Sequence, residues 1–162
     1  MKKLLKNILA ICFGLFLGGL LGEIILRMYN PIPYRVKGDK IILPANQKYI
    51  INNNSNNKLD AQITHTKNSL GFRGNEPPKN FNDWVTFVAV GGSTTECYYL
   101  NDDKDWVRLL GYKLSKKHKT TWINNAGIDG HSTFGHSILL KDYLQDIKPD
   151  YIIYLVGCND VG

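Results

Sequence analysis

The apolar positions divide the chain into three stretches of different rhythm. From Ile8 to Met28 they run almost unbroken, interrupted by Glu23 and Arg27 near the far end. From 29 to 83 they are short and scattered among Pro, Gly and Asn. From Trp84 they become regular. Trp84 to Val90 is a continuous run of strand length, rich in Val and aromatics and closed by Gly91-Gly92. Trp106 to Lys117 has helical spacing through Trp106, Leu109, Leu110 and Leu114, and Thr121 to Asn124 predicts a second strand. Ser137 to Asp146 predicts a second helix on Ile138, Leu139, Tyr143 and Leu144, and Tyr151 to Val156 a third strand. Near-continuous apolar strands alternating with helices predict an α/β fold, its parallel sheet covered on both faces.

The first stretch, residues 1–28, predicts a transmembrane signal anchor. Lys2, Lys3 and Lys6 precede it, and about twenty helical residues reach about 30 Å, enough to cross a bilayer core. The run is long, no small-x-small cleavage site follows, and Glu23 to Arg27 continues the helical pattern, which argues against a removed signal peptide. Gly14, Gly18, Gly19 and Gly22 suit a helix packed in lipid. The leading lysines favour an inside amino terminus and a main domain on the extracytoplasmic side, although Arg27, Arg35 and Lys37 partly balance them. The expectation is a single-pass membrane protein held in the bilayer through residues 8–28.

Residues 29–83 predict a linker and a small cap region. Pro31, Pro33 and Pro44 break helix, and Asn52 to Asn57 forms a polar loop. Tyr49 to Ile51 and Gln62 to Lys67 are short strand candidates, and Leu70-Gly71-Phe72-Arg73-Gly74 is a glycine-punctuated turn.

With 162 residues, of which 43% are hydrophobic and 21% charged, the chain has room for one modest domain beyond the anchor, residues 84–162. The net charge of +6 is spread along the chain. Its densest group, Lys113, Lys116, Lys117, His118 and Lys119, closes a predicted helix where cations complement the dipole, so nucleic acid is not an expected partner. Cys12, Cys97 and Cys158 have neither the paired spacing of a metal site nor the density of a disulfide framework. Ile11 before Cys12 departs from a lipid-attachment site. Cys97 and Cys158, both at strand ends, read as packing residues. No metal or cofactor is expected.

In parallel sheets, ligands bind beyond the carboxyl ends of the strands. Three glycine-containing polar segments are predicted there: Gly91 to Glu96, Asn125 to Gly130 and Gly157 to Asp160. Ser93 follows two glycines directly after a strand, which suits a nucleophile on a sharp turn. The Ser93 and Gly130 backbone amides and the Asn159 side-chain amide are candidate donors to a developing oxyanion, and a Cβ at 130 would obstruct an oxygen docking there. His131 is a candidate substrate contact. His65, His118 and His136 read as outside the site, and no carboxylate has the spacing to orient His131 or His136.

Taken in order, G-G-S-T-T at Gly91 to Thr95, N-A-G-I-D-G at Asn125 to Gly130 and G-C-N-D at Gly157 to Asp160 resemble the first three blocks of the SGNH (GDSL-like) hydrolase family. The resemblance spans Trp84 to Gly162, and the anchor and L-G-F-R-G segment are similar to the leader of membrane-anchored members. It implies a flavodoxin-like three-layer fold, Ser93 as nucleophile, and Ser93, Gly130 and Asn159 as the oxyanion hole. The implied substrate is an ester or O-acetylated compound, with cell-envelope carbohydrate as one class. Two departures stand out. The GDSL form has Asp where this chain has Gly92. The Asp-x-x-His that supplies the base is absent up to Gly162, so the expectation is an incomplete sheet and a fragment with little activity alone. The rival expectation is a non-catalytic anchored binding module, or a phosphate-binding flavodoxin-like domain with Gly91 to Thr95 as cradle; the Gly-Lys-Ser/Thr ending of a P-loop is absent.

Overall fold

The structure, a computed structural model, describes residues 2–29, 36, 37 and 40–160. The chain forms two compact units, Met1–Tyr34 and Arg35–Gly162.

The first unit is helix α1, Lys2–Met28. Its 27 residues span about 40 Å, and Phe13, Leu15 and Phe16 are exposed like most of its apolar side chains. Lys3–Met28 reaches a mean hydropathy of 2.3 in its most apolar window. It is long and apolar enough to cross a membrane, a character that a signal sequence at the amino terminus shares. An exposed Glu23–Arg27 pair at 2.8 Å, one turn apart, accommodates the two charges in the run. Pro31 and Pro33 lie outside the described residues.

The second unit begins with two antiparallel hairpins. One joins β1 (Val36–Lys37) to β2 (Lys40–Ile41), the other β3 (Gln47–Asn52) to β4 (Gln62–Lys67). The asparagine tract closes the second hairpin's loop: Asn53 Oδ1 accepts the Asn56 N–H at 3.0 Å and its Nδ2 donates to Asn56 O at 2.6 Å. Along β4 the alternation places Ile63, His65 and Lys67 on the buried face.

The main sheet has the order β5-β7-β6-β8. Its strands are β5 (Arg73–Gly74), β6 (Val85–Gly91), β7 (Thr121–Asn125) and β8 (Tyr151–Leu155). β6 is central and runs parallel to both neighbours, with Ala89 opposite Asn125 on one side and Ile153 on the other. β5 is antiparallel to β7, Arg73 facing Asn125. The fold is thus α/β with a partly parallel sheet. The 70–74 segment is only half a turn: Gly71 turns at φ +76°, and Arg73 and Gly74 then pair as an edge strand. Gly74 sits at φ +138°, backbone that side-chain-bearing residues avoid, and a Cβ there would also overlap the Asn124 side chain.

Helix α2 (Ser93–Glu96) follows β6, and α3 (Trp106–Ser115) lies between α2 and β7. Asp105 caps α3 by accepting the Val107 and Arg108 N–H groups at 3.0 and 3.1 Å. After β7, α4 (Thr133–Leu139) runs through a π-helical turn, Leu140–Leu144, into α5 (Gln145–Ile147). The helix predicted from Ser137 therefore starts four residues earlier, where Thr133 and Gly135 conceal the pattern. Alternate β6 side chains feed two cores: Val88 and Val90 pack with Phe72, Trp122, Leu139 and Leu144, and Ala89 packs with Val107 and Ile123. That gives helices on both sides of β6 and β7. The expectation of full cover fails at β8, where Tyr151, Tyr154 and Leu155 are exposed. Among the described residues β8 pairs on one side only, with β6, and stands at the sheet edge. Its start is fixed by Asp150, which accepts the Thr86 N–H and Oγ1–H, both at 2.8 Å. These bonds hold the Asp150 carboxyl below the usual carboxylate range.

Candidate functional site

The carboxyl ends of β6, β7 and β8 emerge on one side, as parallel pairing requires. Gly91 ends β6, Gly92 caps α2, and Ser93 is the first helical residue, with its side chain at the exposed surface. The segment after β7 continues beside β6: Ala126 N–H donates to Ala89 O at 2.8 Å and Ile128 N–H to Gly91 O at 3.0 Å. It then turns at Gly130, φ +75°, into His131. The segment after β8 passes Gly157, φ +104°, to Cys158 and Asn159.

A small, open cavity lies between these segments, and Ser93, His131, His136, Cys158 and Asn159 are in its wall. Asn159 Nδ2 donates to His131 O at 2.9 Å, joining the β8 and β7 segments. A Cβ on Gly92 would come 2.6 Å from Asn159 Nδ2. An aspartate at 92, the residue of the GDSL form, therefore meets the Asn159 amide in this arrangement. Of the sequence candidates, Ser93, His131 and Asn159 share the cavity. Gly130 immediately precedes its wall and is itself exposed, with open space where a Cβ would stand.

His136 had no place among the candidates, yet it is 5% exposed and in the wall, its ring 6.2 Å from that of His131. Neither of its ring nitrogens has a hydrogen-bond partner among the described residues. Asp160 sits close enough to feel its charge: the Thr133 N–H and Oγ1–H, each at 2.8 Å, hold the Asp160 carboxyl below its ordinary range, and His136 adds to this.

The two described thiols outside α1 have different settings. Cys158 is exposed in the wall. Cys97 ends α2 in a left-handed conformation, φ +50°, and burial pushes its thiol up. Its Sγ–H donates to Thr94 O at 3.2 Å, which fits the packing role expected of it.

Behind the cavity lies a polar layer that the sequence did not disclose. Arg73, 2% exposed, donates to the carbonyls of Glu96, Cys97 and Leu100 and to Asp102 Oδ1 at 2.8 Å. Asn125 Nδ2 donates to Thr95 O at 2.5 Å, while its Oδ1 accepts Gly127 N–H at 2.9 Å. These bonds fasten the residues that follow Ser93 to β5 and to the segment after β7. Their partners lie far apart in sequence, so no local spacing announced them.

The wall therefore offers a hydroxyl at a helix start, a carboxamide donor and two imidazoles, a set suited to a neutral or polarised oxygen function. Among the described residues no group of three or more His, Cys, Asp or Glu is placed to hold a metal ion.

Residues 89–162 match the family described as GDSL-like Lipase/Acylhydrolase. That part of the chain is similar to GDSL-like hydrolases. Two solved structures are similar to part of the chain. One is that of TesA, 29% identical over 46% of this chain and 42% of that one, with a TM-score of 0.43. The other is the psychrotrophic esterase EstA from Pseudoalteromonas sp., inhibited by monoethylphosphonate, 26% identical over 47% of this chain and 42% of that one, with a TM-score of 0.42. The chain spans less than half the length of either. No curated protein matches it.

Proposed function

We propose that residues 84–162 carry the nucleophile and oxyanion hole of a serine ester hydrolase. Ser93 is the nucleophile, and the Ser93 and Gly130 backbone amides with the Asn159 carboxamide are the oxyanion donors. The observation that carries this reading is that Ser93 and Asn159, from the ends of two adjacent parallel strands, line one cavity that the segment after Gly130 completes. The relationship to GDSL-like sequences supports the same chemistry. The phosphate-cradle alternative finds no lysine or arginine among the described residues of the wall. The substrate class is an ester or O-acetylated compound. Residues 1–28 serve as a single-pass anchor that holds the domain at the extracytoplasmic face, with 29–83 as linker and cap, and acetylated envelope carbohydrate is the substrate such a position favours.

No Asp-x-x-His occurs in residues 1–162. A serine without a positioned base is a weak nucleophile, so p-nitrophenyl acetate hydrolysis by these residues alone is expected to be slow. Added imidazole is expected to accelerate it beyond imidazole's own hydrolysis of the ester, an excess that Ser93→Ala lacks. A fluorophosphonate probe forms an adduct on Ser93, located by peptide mass spectrometry, and Ser93→Ala removes it. An adduct that persists undiminished in Ser93→Ala contradicts the assignment.

A further inference from the structure

Beneath the cavity, a buried ion pair connects the β3–β4 hairpin to the segment that carries Gly130. Glu96 is 5% exposed and Lys67 7%, and Lys67 Nζ lies 3.3 Å from Glu96 Oε1. The second carboxylate oxygen, Oε2, accepts the backbone N–H of Asp129 at 2.7 Å. Asp129 is the residue before Gly130, and Glu96 is one turn of α2 beyond Ser93. One side chain thus spans the helix that begins at the nucleophile and the loop that presents a donor.

The backbone of Glu96 is held independently. Its N–H donates to Gly92 O at 2.9 Å, and Arg73 Nη1 donates to its carbonyl at 3.0 Å. Gly127 packs so tightly on α2 that its Cβ would overlap the Glu96 nitrogen and lie 2.7 Å from Thr95 C. α2 is therefore a fixed platform, and the Glu96 carboxylate reaches out from it to Asp129. A buried carboxylate needs a partner charge to remain ionised, and Lys67 provides it from β4. Neither residue is in the cavity wall.

We propose that Glu96, its charge balanced by Lys67, is a positioning residue that sets the Gly130 amide against Ser93. The carboxylate fixes the Asp129 N–H, and through it the spacing between nucleophile and donor. Misplacement by about 1 Å in such a site costs on the order of 100-fold in rate. The hairpin contributes Lys67 to this assembly, which gives the cap region a role in the site. The consequence for rate rests on the ester-hydrolase reading; the consequence for the loop does not.

The test uses the full chain in detergent micelles with two readouts, amide hydrogen exchange at Asp129 and the rate of fluorophosphonate labelling at Ser93. E96Q/K67M keeps an acceptor for the Asp129 N–H and leaves no lone buried charge, so both readouts are expected within about threefold of the parent. E96M/K67M keeps the volume and removes the acceptor. It is expected to speed Asp129 exchange and to slow Ser93 labelling, each by about tenfold or more, at an unchanged melting temperature. Glu96→Asp is the milder variant, keeping the charge and shortening the reach by one methylene. It is expected to slow the labelling step while leaving reversible probe binding within about twofold. Equal Asp129 exchange in E96Q/K67M and E96M/K67M overturns the proposal, as does labelling of E96M/K67M or Glu96→Asp at the parent's rate. If the parent itself takes no label at Ser93, the ester-hydrolase reading falls, and Asp129 exchange still decides the positioning role.

Discussion

Glycine serves two different purposes in the segments that follow β7 and β8. Gly130 and Gly157 adopt φ +75° and +104°, backbone that side-chain-bearing residues avoid, and both have open space where a Cβ would stand. Gly127 is the opposite case, a position where the obstacle is the α2 backbone rather than its own φ. Backbone cannot step aside as a flexible side chain can. Gly127→Ala is therefore expected to destabilise the second unit by about 1–3 kcal/mol, read as a lower denaturant midpoint; an unchanged midpoint contradicts the close packing of the loop on α2. That Ser93, His131 and Asn159 share one wall was legible in the sequence because each lies in or beside a glycine-containing polar segment that follows an apolar strand. Glu96 was not, although it closes the same Gly91 to Glu96 segment. Its partners Lys67 and Asp129 belong to other segments, and a carboxylate at the end of a four-residue helix reads as a solvated charge. His136 was missed for a related reason: its helix starts at Thr133, before the apolar periodicity does.

Among the elements, the β3–β4 hairpin departs furthest from its sequence character. The bounds of β4, Gln62–Lys67, follow from alternation alone, yet His65 and Lys67 would be placed at the surface by polarity. Instead His65 is fully buried, its ring 5.9 Å from that of Tyr49 and 5.0 Å from that of Tyr98. Burial, reinforced by the positive charges of Lys67 and Arg73, pushes its pKa down to about 3 from the ordinary 6.5. The unfolded chain takes up this proton near 6.5 and the folded chain near 3, so His65's contribution is fully present above pH 6.5 and is lost as pH falls toward 3. The slope it adds is at most about 1.4 kcal/mol per pH unit. Asp60, Asp150 and Asp160, all held below the carboxylate range, act at lower pH. Urea midpoints measured between about pH 7 and pH 4.5 are expected to fall more steeply for the parent than for His65→Phe. Parallel slopes contradict a buried neutral imidazole. β8 was also read incompletely: an apolar run identified the strand, but a run cannot say whether both faces find cover, and Tyr151, Tyr154 and Leu155 stay exposed at the edge.

For the whole molecule, alternation of strand and helix determines where chemistry can occur. Parallel pairing of β7, β6 and β8 sends three polar segments to one side, and the order of those segments in the sequence was enough to expect a shared site. The parallel core and its two helical faces were legible for that reason. The antiparallel β5 was not, because a two-residue strand defined by a buried arginine and a glycine has no periodicity. Helix α1 and the second unit each have their own physical logic: one is a long, largely apolar helix, the other is built around two cores. The central claim concerns the second, that Ser93 Oγ and donors from successive strand ends surround one acyl oxygen. The most direct measurement is a crystal structure of the chain with a phosphonate bound to Ser93. The account predicts its phosphoryl oxygen about 2.7–3.1 Å from both Gly130 N and Asn159 Nδ2. A phosphoryl oxygen directed away from both, into solvent, would contradict it.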